Sequence, residues 1–429
     1  DAQSDPLLGD TITSIVYSGK APVSGAENGL VLADLRGKYY DDPMWEQLLD
    51  QLLYNPDALR RCLFEAAYQT GALEEIGKPA SVEHDGPQGL TLADVAGKNW
   101  LSGVCGYPAV PVMAATWNAP LMYEFGYMVG QEALLAGIDG WYAPALNILR
   151  SPFCGRASEY YGEDPLHAGL LGAQVVSGAG DAGLSCAVKH FALMLTEAHK
   201  NPNTCVWMTE QALREIYLRP FEIVVKTARK TIEYAQDDQG SVLVTRTMRA
   251  GDFIMAGDSA IGGEWCAANS ALLSHVLRGE WAFEGMVISD MHTQVSMAVA
   301  QKMLRAGCDA LMSNGASGVR VQELASATDL CCLRRAVKNI CYRLVNSNRM
   351  QGVPPATSFQ NAMSGWKGAL IVCNAIVFIL LAAAILAIAH KPRGLRRNFH
   401  KRLHIGESTA QATGKQSRNT PDKDPFEEG

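Results

Sequence analysis

The sequence has no C-x-x-C motif and no paired cysteine spacing that would hold zinc, although it carries 11 cysteines. An odd, scattered set argues against a disulfide-built fold. Most of these thiols are expected in the core as small apolar groups, with Cys331 and Cys332 on different faces of a helix. The chain also has no basic stripe. Its net charge is −7, and no run of Lys or Arg lies in the region that looks catalytic, which excludes nucleic acid as a partner. No glycine-rich phosphate cradle follows the later predicted strands, so basic residues at strand ends are not read as phosphate ligands. No metal site and no cofactor is expected. Neither an initiator Met nor a signal peptide stands at Asp1, and the expectation is a fragment or a processed chain.

What is present is length and alternation. The 429 residues, 48% of them hydrophobic, suffice for one large domain or two ordinary ones, and 40 glycines suit many tight strand-to-helix connections. Residues 1–35 are polar and read as a linker or the remnant of an upstream domain. Trp45, Leu48, Leu49 and Leu52 then recur at helical spacing after Asp42-Pro43, and a second helix is predicted from Asn55 to about Tyr68. From there strands are predicted at 78–83, 107–116, 141–148, 184–191, 252–257, 286–289 and 309–312. Helices are predicted at 120–137, 165–179 and 208–227, with others after the later strands. Residues 230–248 interrupt the pattern as an inserted hairpin turning near Asp237 to Gly240. Strand, loop and helix repeated about seven times imply a parallel sheet, and at this length the economical answer is a (β/α)8-like TIM barrel over residues 36–350.

The C-terminus changes character after a linker at 351–367. Residues 368–389 contain no charge, and only Cys373 and Asn374 are at all polar. That is the length a bilayer core requires. Trp366 flanks one side, and Lys391, Arg393, Arg396, Arg397, Lys401 and Arg402 flank the other. The basic flank is expected to stay cytoplasmic, which puts the barrel on the extracellular side of a single-pass cell-membrane protein. Residues 390–429 then form a basic and finally disordered tail.

Chemistry-bearing residues gather at the predicted strand ends. The stretch G-M-V-I-S-D-M-H, Gly285 to His292, is a short apolar run stopping at Asp290, as a buried parallel strand with chemistry at its tip would read. Asp85-Gly86-Pro87 follows the first strand, Arg156 and Glu159 to Pro165 follow the third, and Lys189-His190 end the fourth. Singly these have innocent readings: Asp-Gly-Pro is turn chemistry, and Glu-Asp-Pro starts a helix. Together two acids, an Arg, a Lys and a His fall at one end of the proposed barrel, where such a ring would take up the hydroxyls of a sugar.

Five motifs in order then carry a resemblance over roughly residues 30–350. They are D-G-P-Q-G-L from Asp85, G-R-A-S-E-Y-Y-G-E-D-P from Gly155, K-H-F-A from Lys189, A-L-R-E-I-Y-L-R-P-F-E from Ala212, and V-I-S-D ending at Asp290. The chain resembles the family-three glycoside hydrolases of the β-glucosidase type. The resemblance implies that Asp290 is the nucleophile of a retaining reaction, and that Asp85, Arg156, Lys189 and His190 hold hydroxyls of the innermost sugar. The segment from Leu333 to Asn348, with an apolar helix after it, looks like the circularly rearranged members, in which an α/β sandwich domain precedes the barrel.

The sequence departs from the family pattern after K-H-F-A, after Gly155-Arg156, at Met291, and at Gly257-Asp258-Ser259-Ala260 in place of an aromatic-plus-polar segment. Retaining hydrolysis needs two carboxyl groups about 5–5.5 Å apart. In the β-glucosidase type the acid comes from the sandwich domain, which this chain lacks. Glu159 and Glu163 are local alternatives, but they are expected to position their loop and cap the next helix. The K-H-F-P-G-H-G loop of single-barrel N-acetylglucosaminidases is absent. The reading is a retaining β-glycosidase removing terminal sugars from β-glucosides, its acid supplied by a missing upstream domain or a partner. The alternative is a membrane-anchored carbohydrate-binding barrel that has lost catalysis.

Overall fold

Short runs pair side by side at the centre of the structure, Glu-His-Asp in the first and mostly apolar in the later ones. They are β1 (Glu83–Asp85), β2 (Gly140–Tyr142), β3 (Ser185–Phe191), β4 (Phe253–Ala256) and β5 (Met286–Ile288), all parallel and adjacent in that order. Their apolar side chains are buried whichever way they point, as happens when helices cover both faces of a parallel sheet. The computed structural model describes residues 19–91, 103–195, 205–292, 295–315, 318–359 and 365–390.

Backbone hydrogen bonding continues past both outer strands. Ser289 N–H donates to Ala310 O at 2.9 Å, and Leu311 N–H to Leu63 O at 2.6 Å. Ala66 N–H donates back to Leu311 O at 3.1 Å, and Glu83 N–H, at the start of β1, to Tyr68 O at 2.9 Å. The bonding thus leads from β5 through residues 310–313 and 63–68 back to β1. This is a TIM-barrel-like α/β fold.

Helices α1 (Met44–Leu49), α2 (Ala119–Ala136), α3 (Pro165–Asp181), α4 (Arg219–Thr227), α5 (Met297–Ala306) and α6 (Ala327–Val345) accompany the sheet. Local chemistry sets their starts. Asn118 accepts from Leu121 N–H ahead of α2, Asp164 from His167 N–H ahead of α3, and Ser326 from Asp329 N–H ahead of α6. A proline occupies the first turn of α2, α3 and α4, where its missing N–H costs nothing. Helices α2 and α3 lie close because glycine faces backbone: a Cβ on Gly126 would sit 2.1 Å from Val175 O, and one on Gly178 2.1 Å from Tyr123 O.

The strands expected at 184–191, 252–257 and 286–289 are β3, β4 and β5, and the hairpin is present as Arg229–Ala235 paired antiparallel with Leu243–Arg249. Other expectations need correction. Residues 107–116 are not a strand; Val110–Ala114 is helical, with Pro111 in its first turn. The strand placed at 78–83 begins only at Glu83, and Lys78 instead bridges Leu73. The strand at 141–148 stops at Tyr142, before Pro144. Residues 309–312 contribute a single parallel bridge, Ile288 to Ala310. The helix expected at 208–227 is broken into Glu210–Ala212, the wide-turn segment Leu213–Tyr217 and α4, with Pro220 at the last break. The helix from Asn55 ends at Phe64.

The chain divides into two compact units, Asp1–Gln360 and Asn361–Gly429. The described part of the second is α7 (Gly365–Ala389), 25 residues with no buried side chain, long and apolar enough to cross a membrane. At 1.5 Å per residue it is about 37 Å long, against a bilayer core of about 30 Å. Its basic flank lies beyond the described residues. All 11 cysteines are free, and Cys62, Cys186, Cys266, Cys308, Cys332 and Cys341 are buried.

Candidate active site

Parallel strands present their C-terminal tips on one side of a sheet, and four of the five residues singled out in the sequence leave such tips. Asp85 is the last residue of β1, Lys189 and His190 close β3, and Asp290 follows β5 by two residues. Arg156 comes from the long loop between β2 and α3. The structure brings all five to one cavity of about 500 Å³, together with Tyr68, Tyr142, Glu159 and three methionines.

Lys189 Nζ donates to Asp85 Oδ1 at 2.6 Å, and Gly86 N–H donates to the same oxygen at 2.8 Å. Burial pushes the Asp85 carboxyl up, but Lys189, the Gly86 N–H and Arg156 outweigh it and hold the group below its ordinary range. Asp85 is therefore an anion at neutral pH. Its side chain remains 34% exposed, whereas that of Lys189 is 2% exposed.

Arg156 and Glu159 form a two-pronged pair, Nε to Oε1 at 3.1 Å and Nη2 to Oε2 at 2.7 Å. Glu159 thus holds Arg156 in place. Glu163 does not cap α3: it is exposed, and Asp164 is the cap. The remaining Arg156 nitrogen, Nη1, lies 3.0 Å from His190 Nε2. A guanidinium can only donate, so His190 Nε2 accepts and the ring carries its proton on Nδ1. Nδ1 in turn lies 3.3 Å from Asn147 Oδ1. Asn147 also clamps the main chain, accepting from His190 N–H at 3.0 Å and donating to His190 O at 2.9 Å. With a neutral ring, the 3.9 Å approach of His190 Nε2 to Asp290 Oδ2 is a dipolar contact and not an ion pair.

Asp290 is 9% exposed. Its Oδ1 accepts from Met291 N–H at 2.7 Å. Ser289 Oγ donates to Asp290 O at 2.7 Å and accepts from Met312 N–H at 3.0 Å, tying the tip of β5 to its neighbour. The carboxylate is thus held by backbone on one side of the cavity, with Asp85 and Lys189 on another.

Sequence reasoning missed Asn147, Tyr68 and Tyr142. Asn147 had a signal, a lone amide within the apolar run Ala143 to Ile148. The tyrosines had none, since a tyrosine near a strand looks like core. Among the described residues no cluster of His, Cys, Asp and Glu could hold a metal.

A mostly parallel α/β sheet with acids and cations at its C-terminal tips defines the class, a TIM-barrel-like domain with a polar cavity. Residues 90–339 match the Glycosyl hydrolase family 3 N terminal domain, and the chain belongs to that family. It is 33% identical over 265 residues to Beta-glucosidase A of Butyrivibrio fibrisolvens, covering 62% of this chain and 28% of that protein. It is 30% identical over 286 residues to Thermostable beta-glucosidase B of Acetivibrio thermocellus, covering 64% and 34%. Beta-glucosidase 3B from Thermotoga neapolitana, solved with glycerol, superposes with a TM-score of 0.58 at 28% identity, over 72% of this chain and 44% of that one. The chain spans about a third of the length of the curated relatives it matches.

Proposed function

We propose that this chain is the nucleophile-bearing part of a retaining β-glycosidase that acts on β-glucosides. The observation that carries the reading is that one cavity gathers Asp290 with Asp85, Arg156, Lys189 and His190. The relatives reported above, which are β-glucosidases, support it. In this reading the sheet closes into a barrel through residues 310–313 and 63–68. An oxygen of Asp290 bonds to the anomeric carbon as the bond to the leaving oxygen breaks, and the electron pair departs with the aglycone. Water then cleaves the glycosyl ester. Asp85 accepts from sugar hydroxyls, and Lys189, Arg156 and the His190 edge complete the ring of contacts.

The leaving oxygen needs a proton in proportion to its basicity, and general acid catalysis is worth about 10² to 10⁴. Asp85 is held ionised, and both oxygens of Glu159 accept from Arg156. The proton therefore comes from outside this cavity, from an upstream domain or a partner, as in a circularly rearranged architecture. Alone, the chain should cleave nitrophenyl β-glucosides and spare cellobiose. A 2-deoxy-2-fluoro glucoside with a good leaving group should leave a mass adduct on the peptide holding Asp290, absent in Asp290→Asn. An adduct on another carboxylate overturns the assignment. The shortage of a proton donor also favours the second reading, a carbohydrate-binding barrel, for which sugar titrates with measurable affinity and no substrate turns over.

We further read α7 as a single membrane span with the first unit outside the cell, on the strength of its length, its apolarity and the basic run after it. Protease added to intact cells should digest the first unit and spare a tag placed after Gly429. Protection of that unit would reverse the topology.

A further inference from the structure

The inserted hairpin contributes nothing to the sugar cavity, and it bounds a separate chamber with the segment that precedes α1. Gly37 sits at a φ of 76° and has no room for a side chain, since a Cβ there would lie 2.4 Å from the Tyr234 ring. Arg246 of the hairpin donates to Gly37 O, and its guanidinium lies 3.5 Å over the Tyr39 ring. Ala356 N–H donates to Asp34 Oδ1 at 2.6 Å and fixes a third stretch of chain at the same place. The three stretches surround about 380 Å³, and none of the residues lining this volume lines the sugar cavity.

Two cations and one acid line it, Arg36, Lys38 and Asp34. The acid is turned to the main chain: Oδ1 holds Ala356 N–H, and Oδ2 accepts from Val31 N–H at 2.8 Å. Arg36 is 6% exposed, and it meets only carbonyls. Its Nη1 donates to Val345 O at 2.5 Å and to Ser347 O at 2.8 Å, whereas Nε and Nη2 reach Glu233 O only at 3.4 Å. Burial pulls this guanidinium down to about 10, and among the described residues no carboxylate is near enough to pull it back. Lys38 is half-buried and forms no ion pair among the described residues. A buried cation matched only by carbonyl dipoles is costly, and an anion within reach offsets that cost.

The other walls are mainly apolar, with Leu30, Met44, Tyr234 and Pro355 the largest side chains of that kind. A bare inorganic ion would leave those walls uncovered. Mostly apolar walls with a few placed polar groups suit a small molecule of mixed character. We propose that the chamber binds a small organic acid, its carboxylate held by Arg36 and Lys38 and its apolar body laid between Met44, Tyr234 and Pro355. Such a ligand bears on the end of α6 through Arg36 and on the hairpin through Tyr234. Binding therefore ties both to the segment before α1 and stabilises the folded unit.

Cinnamate, its neutral amide and inorganic phosphate separate the roles of charge and apolar body. In calorimetric titrations of the full chain at constant ionic strength, cinnamate should bind one to one, roughly tenfold or more tighter than cinnamamide or phosphate. Saturating cinnamate should also raise Tm. Lys38→Met should weaken cinnamate about tenfold and leave the Tm of the unliganded chain in place, and Lys38→Arg should restore binding. Arg36 stays intact in these variants because it also ties Val345 and Ser347. Cinnamate affinity that survives Lys38→Met puts the acid elsewhere, the cations of the sugar cavity included, and overturns the proposal. Cinnamamide or phosphate binding as tightly as cinnamate overturns it too, as does the lack of any saturable cinnamate binding. Glycoside turnover enters none of these outcomes, so the catalytic reading and this one fail separately.

Discussion

The two ends of the parallel sheet are built from the same chemistry and behave differently. At the C-terminal tips, Asp85, Lys189, Arg156, His190 and Asp290 surround open volume. At the opposite end, Glu83 and Asp139 pair with Arg343 at 3.3 and 2.9 Å, Asp252 with Lys230 at 2.5 Å, and Asp309 with Arg278 at 2.6 Å. Strand β1 carries both kinds of acid two residues apart on one face, Glu83 closed in and Asp85 opening to the cavity. Each buried acid has several partners. Glu83 accepts from Tyr142 OH and Ser81 Oγ, Asp252 from Ser185 Oγ, and Asp309 from Val287 N–H and Asn339 Nδ2. The lesson is that an ion pair becomes a binding site only where packing leaves room beside it. Where packing leaves none, the same pair is a fixed part of the core.

The strongest way to sharpen that contrast is at Arg343, fully buried and stacked over Phe253 at 4.8 Å. Removing one partner of a buried ionic cluster costs about 3–5 kcal/mol. Arg343→Met should lower the unfolding free energy by that amount in denaturant titrations, with sugar affinity of the folded fraction unchanged. Equal losses in affinity would erase the distinction between the ends.

Asp85→Ala should do the reverse at a smaller scale. A hydrogen bond to a charged group is worth roughly 1.5–3 kcal/mol, so kcat/KM or sugar affinity should fall at least tenfold while Tm moves little. A large drop in Tm with affinity intact would make Asp85 structural.

The smallest effect is in the response to pH. Burial pushes the Asp139 carboxyl up to about 6 against the pull of Arg343, whereas an unfolded Asp titrates near about 3.9. Between those values the folded chain binds the extra proton, so this group adds stability as pH falls from 6 to 4 and loses it as pH rises again. Asp85 has the opposite sign: held low, its contribution is full above the unfolded value and disappears only as pH falls through its depressed one. The Tm of the parent chain minus that of Asp139→Asn should widen between pH 7 and pH 4. A flat difference would show that Asp139 does not titrate there.

The open end was legible in the sequence because its residues sit in short motifs at strand tips, where local pattern and chain order both apply. The closed end was not, because Asp139 and Arg343 lie 204 positions apart and nothing local marks them as partners. The same limit explains the misplaced strand at 107–116. Its apolar run fits either period, and Pro111, harmless in a helix's first turn, decided the outcome. The hairpin was legible because Asp237 and Gly240 punctuate a segment of alternating polarity, and Asp237 does accept from Val242 N–H at 2.8 Å.

The seam between residues 63–68 and 310–313 bears on how the chain is made. Leu311 bonds to Leu63 and Ala66, so segments from the two ends of the unit meet, with nearly the whole of it synthesised between them. Contacts this distant along the chain form slowly, because a long loop must be closed before any of them is gained. While the chain is still on the ribosome, Asp85, Arg156, Lys189, His190 and Asp290 have all emerged before Leu311 has. The nascent protein then owns every candidate site residue and still presents two raw strand edges, the state in which sheets most readily pair with strangers.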